Sequence, residues 1–147
     1  MQNKKLFQPL YLNFLARLRP NITLEFRNSF GKSDTSNVGE STFRRYEAFL
    51  TWRFSNFSSF STSHTYTKSE DISTYNYFYS FYISPTEKIR MNLSYSGYKS
   101  DGFKSSNLGL NAFWTLTPKL NLNWNYNYNK RDEESSWSWY FRITYVF

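Results

Sequence analysis

Two groups of residues in this chain have side chains suited to chemistry. The first is a set of arginines at alternate positions. Arg17, Arg19, Arg27, Arg45, Arg53, Arg90 and Arg142 share one parity within their segments, and only Glu25 and Glu47 join them there as acids. A guanidinium is planar and presents a rigid fork of donors that matches carboxylate and phosphate. Seven such groups against two acids leave pairing incomplete. That points either to a narrow interior filled by paired side chains or to a surface that favours anions. The second group is His64 with its neighbours Ser59, Ser61 and Ser63. Serine beside histidine is the nucleus of nucleophilic chemistry. In Phe60-x-Thr62-x-His64-x-Tyr66, however, alternation turns these serines to the opposite face from the histidine. A single histidine also rules out two-histidine metal sites, and cysteine is absent. With no Gly-rich phosphate loop and no usefully spaced carboxylate pair, we expect no catalytic residue, no metal, no cofactor and no enzyme activity.

The arginine-bearing parity is polar throughout. Asn121, Asn123, Asn125, Asn127 and Asn129 form an unbroken row, and Thr23, Asn92, Ser94, Ser96, Asn111 and Thr115 extend it. Lysine is distributed differently: Lys4, Lys5, Lys32, Lys68, Lys88, Lys99, Lys104, Lys119 and Lys130 fall in tails, turns, loops or segment ends. A nucleic-acid binder would place both cations on one exposed patch. The net charge of +7 therefore does not imply a nucleic-acid partner. Acids gather between segments, in Glu70-Asp71 and Asp132-Glu133-Glu134 with Asp34, Glu40 and Asp101. They read as solvated loop charge, the alternative being sites that bridge divalent cations to an anionic partner.

Period-two alternation is what separates these faces, and it is the strand period. Nine segments show it, at about residues 10–19, 21–31, 43–54, 58–68, 73–83, 88–98, 107–117, 119–130 and 136–147. Most reach the roughly 9–11 residues a tilted strand needs to cross a membrane. Their second parity is apolar and aromatic, with Trp52, Trp114, Trp124, Trp137, Trp139 and Phe147 as expected interfacial anchors. Aromatics make up 22% of a chain with no run of about 20 apolar residues, which excludes disorder and a spanning helix together. Tight connections at Arg19-Pro20-Asn21, 55–58, 84–87 and Thr117-Pro118-Lys119 alternate with longer charged ones at 31–42, 68–73, 99–106 and 130–136. Residues 10–26 align without gaps to 108–124, matching leucines 10, 12 and 18 to 108, 110 and 116, Asn13 to Asn111 and Pro20 to Pro118.

The last segment, WSWYFRITYVF, puts Trp137, Trp139, Phe141, Ile143, Tyr145 and Phe147 on one face and ends there. This ending resembles the closing strand of Gram-negative outer-membrane β-barrel proteins. The resemblance implies an all-β, antiparallel, up-and-down transmembrane β-barrel, with short turns in the periplasm and Phe147 at the periplasmic rim. It implies outer-membrane lipid, lipopolysaccharide and the barrel assembly machinery as partners. Residues 1–9 read as an N-terminal tail that makes a poor secretory signal, and 10–147 as one barrel unit. Such barrels have even strand numbers. Either residues 6–18 form an interfacial helix and leave eight strands, or nine strands belong to a larger barrel completed by further strands or subunits. The expected function is a porin-like pore, conduit wall or transport-complex component. Its lumen would be lined by Arg17, Arg27, Arg45, Arg53, Arg90, Arg142, Glu25, Glu47, Asn121, Asn123, Asn125 and Asn127. A small closed barrel with structural or adhesive loops is the alternative, and a lipid-modifying enzyme built on His64 a third.

Overall fold

All nine segments are strands. The computed structural model describes residues 10–35, 39–69 and 72–147. The strands are β1 (Leu10–Arg19), β2 (Ile22–Thr35), β3 (Gly39–Ser55), β4 (Ser58–Ser69) and β5 (Ile72–Thr86), followed by β6 (Ile89–Ser100), β7 (Phe103–Thr117), β8 (Leu120–Arg131) and β9 (Glu134–Tyr145). They form one antiparallel sheet in sequence order. Lengths run from 10 residues in β1 to 17 in β3. The helical alternative is thus overturned over 10–18; its first residues, like the expected tail 1–9, lie outside the described residues. Leu10 and Phe14 sit at helical spacing, but each also faces a partner across a ladder, Phe30 and Phe26.

Register keeps the two faces separate across the whole sheet. From Ala16, direct partners run through Leu24, Leu50, Thr62, Tyr79, Tyr95, Leu108 and Tyr128 to Trp137. A one-residue slip in any ladder would invert a strand, and none occurs before the last residues beside the turns. Among the described residues no hydrophobic side chain is buried. A sheet in water would cover its greasy face with a second layer; this one is a single layer with that face bare.

The connections correct one expectation. The longer, charged ones are largely strand: Arg131 pairs with Glu134, Lys99 with Lys104 and Asp34 with Glu40. Charge ends the apolar alternation, but ladders are made by the backbone and continue through it. Two-residue turns close these hairpins at Asp101-Gly102 and Asp132-Glu133. The opposite end has two-residue turns at Pro20-Asn21, Asn56-Phe57, Glu87-Lys88 and Pro118-Lys119. We call the two ends the charged-turn end and the proline-turn end.

The proline-turn end repeats one design. Register shifts at Arg17/Arg19, Arg53/Ser55, Ile83/Thr86 and Thr115/Thr117, just before each turn. The carbonyls of Asn21, Phe57, Lys88 and Lys119 then accept N–H bonds from Arg53, Ser84, Thr115 and Val146, at 2.7–2.8 Å. Each turn is stitched to the next hairpin. The two matching segments, 10–26 and 108–124, both cross a turn of this design. The bond from Val146 also sets the C-terminal end beside Lys119, at the proline-turn end. Among the described residues β1 pairs only with β2 and β9 only with β8, so the sheet is open.

Candidate functional site

The polar face gathers the candidate residues. From Arg17, direct partners run Thr23, Thr51, Ser61, Ser80, Ser94, Gly109, Asn127 and Ser138. Beyond Arg17, no side chain in this row is larger than asparagine. Glu25, Arg27, Arg45, Glu47, Arg53, Arg90, Asn121, Asn123, Asn125 and Arg142 share the face by period two. Arg19 does not: the shift at Arg17/Arg19 sets it opposite Ile22 of the apolar face.

Both acids are taken by arginines two positions along their own strands, where side chains share a face. Arg27 Nε donates to Glu25 Oε1 at 2.7 Å, and Asn13 Nδ2 donates to the same oxygen at 3.1 Å. Arg45 Nη2 donates to Glu47 Oε1 at 2.6 Å. Among the described residues no acid bridges Arg17, Arg53, Arg90, Arg131 or Arg142. Four of these, Arg17, Arg53, Arg90 and Arg142, each lie within three residues of a strand end, on β1, β3, β6 and β9 at the proline-turn end. They form an uncompensated cationic band along the wall.

Arginines on this face also lie over rings. Arg27 Cζ is 4.9 Å from the Phe49 centroid, Arg131 Cζ 4.9 Å from Phe103 and Arg142 Cζ 5.4 Å from Tyr140. Sequence reasoning missed Arg131, Phe49 and Phe103. Arg131 fell in a segment taken for loop, and the rings interrupt a parity otherwise read as polar. The asparagines of β8 bond to one another and across to β7. Asn125 Nδ2 donates to Asn123 Oδ1 at 2.5 Å, Asn107 Nδ2 to Asn129 Oδ1 at 2.6 Å, and Asn111 Nδ2 to Asn125 Oδ1. Depressions of about 490 Å³, including Asn107, Asn129 and Arg131, and about 510 Å³, including Asn13, Arg27, Arg45 and Glu47, lie on this wall.

No family model and no curated protein matches the sequence. Solved structures do. The chain is similar to the NanC porin in its rhombohedral crystal form, at 13% identity and TM-score 0.52, over 96% of this chain and 79% of that one. The fold is that of a β-barrel wall, with the sheet open among the described residues. A KdgM porin gives 12% identity and TM-score 0.43 over 95% and 79% of the two chains.

On the apolar face of this barrel sheet, Trp52, Trp114, Trp124, Trp137 and Trp139 pair with Ile22, Ile89, Ala112, Tyr128 and Tyr126. Phe147 lies beyond β9 and is fully exposed. His64 belongs to this face too. Its Nε2 lies 3.1 Å from Thr62 Oγ1 and its Nδ1 2.5 Å from Tyr75 Oη. Both ring nitrogens are engaged, while Ser59, Ser61 and Ser63 point to the polar face opposite Arg53, Thr51 and Phe49. No Ser–His pair forms on β4.

Proposed function

We propose that this chain forms the wall of an outer-membrane pore, with the polar face as an anion-favouring lumen and the apolar face against lipid. The uncompensated band of Arg17, Arg53, Arg90 and Arg142 carries the reading. Guanidinium groups facing water-filled space attract anions and repel cations, as rings of charge do in selective pores. The row from Thr23 to Ser138 supports it, because small side chains leave cross-section for solute where bulky ones would close a narrow barrel. The two-residue turns Asp101-Gly102 and Asp132-Glu133 weigh against the adhesive-barrel alternative, which needs long loops. The engaged nitrogens of His64 weigh against a lipid-modifying enzyme.

A barrel in lipid also needs both edges paired, since unsatisfied backbone groups cost several kcal/mol each in hydrocarbon. With nine alternating strands, β1 and β9 run in the same direction. An odd number of further strands, from the same polypeptide or another subunit, would complete an all-antiparallel ring. Residues 10–147 then act as one unit of that barrel, assembled by the barrel assembly machinery among lipid and lipopolysaccharide.

The test is conductance of the protein purified from outer membranes, in planar bilayers under a KCl gradient. The expected reversal potential favours chloride. Replacing Arg17, Arg53, Arg90 and Arg142 together by glutamine moves it toward zero. A folded protein that never conducts overturns the pore reading, and chloride preference untouched by the four substitutions overturns the role of the arginines.

A further inference from the structure

The apolar face is aliphatic and aromatic over most of its height, but it turns basic at the charged-turn end. Lys99 of β6 lies directly opposite Lys104 of β7, and Lys130 follows on β8 opposite Ser106. On β3 and β4, Arg44 and Lys68 are opposed in the same way. By ladder pairing these cations share a face with Tyr75, Tyr95, Leu108 and Leu110, not with the arginines of the polar wall. Like charges placed directly opposite each other repel, and among the described residues no ion pair to an acid compensates Lys99, Lys104 or Lys130. Asp132, the one carboxylate lining the depression among Lys99, Lys104 and Lys130, accepts the Lys104 backbone N–H on its Oδ1 at 2.8 Å. That depression holds about 560 Å³ and is walled by Tyr75, Tyr77 and Tyr95.

We propose that it binds a phosphate group on the headgroup of a phosphorylated outer-leaflet lipid. A lysine on a lipid-facing wall is costly unless its ammonium reaches headgroup level, and these three stand just beyond a tyrosine belt, which marks that level. Lysine ammoniums act as point charges that can share the oxygens of one phosphate. The occupant is a lipid because a bound headgroup's chains would continue along the apolar wall formed by Leu108, Leu110 and Leu93. The proposal rests on the reading of the apolar face as lipid-facing, but goes beyond conduction and does not depend on it.

The test uses the full protein purified from outer membranes and stripped of endogenous lipopolysaccharide, with binding read by native mass spectrometry. The probes are a bisphosphorylated glucosamine-disaccharide lipid (lipid A) and its dephosphorylated form, with inorganic phosphate as competitor. The phosphorylated lipid is expected to bind at least about tenfold more tightly than the dephosphorylated one. K99Q/K104Q/K130Q weakens its binding about 100-fold, whereas K99R/K104R/K130R and K119Q at the opposite end do not. Equal binding of the two lipid forms, or undiminished binding by the glutamine variant, overturns the proposal. Complete displacement by millimolar phosphate also overturns it, in favour of a free-anion site. If the glutamine variant does not fold, the lipid comparison on the wild-type protein decides alone. Conductance recorded on the same samples separates any failure here from failure of the pore reading.

Discussion

The Tyr77 ring lies over Gly97, its direct partner across β5 and β6, so closely that a Cβ on Gly97 would stand 2.2 Å from the ring. Tyr77 Oη is also 3.3 Å from Tyr95 Oη, and its ring is 5.6 Å from the Tyr95 ring. A Gly97→Ala change must push the ring out of this cluster. The expected cost is about 1 kcal/mol, at the low end for overpacking because a side-chain tip can rotate away. Urea unfolding in lipid vesicles would measure it, and the loss should vanish when Tyr77 is already alanine. A Gly97→Ala cost that persists in the Tyr77→Ala background would mean that glycine matters there for its backbone and not for the ring. At this scale much was legible beforehand. Strand parity placed Arg17, Arg27, Arg45, Arg53, Arg90 and Arg142 on one face because side-chain direction follows from the period alone. It failed at Arg19, where a shift in register interrupts the period, and it could not reveal the overlay of Tyr77 on Gly97, which depends on which residues face each other across a ladder.

Among elements, the hairpins at the charged-turn end are where reading by pattern fell short. Apolar alternation stops at Lys99 and Lys130, so those segments looked like loops, yet the backbone ladders run on to Ser100 and Arg131. Strands β2 to β9 were nonetheless legible, since each carries enough apolar alternation in its middle, whereas β1 also fitted a helix, and only its ladder to β2 decides for a strand. What the pattern could not supply was the turn geometry. Gly102 has φ of 75° and Asp132 of 49°, the positive values that let two-residue turns close. Gly102 has open space around the position of a Cβ, so a side chain there is opposed by backbone conformation and not by crowding. Gly102→Val should therefore destabilise by roughly 1–2 kcal/mol, and Gly102→Asn by less, because asparagine tolerates this region. Equal midpoints for the two variants in the same unfolding assay would show that the turn relaxes to another form.

For the whole molecule the deciding feature is the pair of open edges. Nine antiparallel strands leave β1 and β9 pointing the same way, each with one side unpaired among the described residues. If these edges met directly, the seam would be a parallel ladder in an otherwise antiparallel ring. If further strands intervene, the two edges stand far apart on the wall. The chain lacks cysteine, so engineered pairs report without background. A disulfide requires Cα atoms less than about 7 Å apart, a separation met between adjacent strands and exceeded across an intervening one. Cysteines placed at Asn13 of β1 and successively at Arg142, Tyr140 and Ser138 of β9 sample the registers of a direct seam on the polar face. We expect no intrachain cross-link at any register in native outer membranes, while a control pair at Asn123 and Arg142, direct partners across β8 and β9, cross-links readily. A β1–β9 cross-link would instead show a self-closed nine-stranded barrel. Its narrower lumen would bring Arg17 and Arg142 onto neighbouring strands, and the anion-favouring pore would give way to a filled interior.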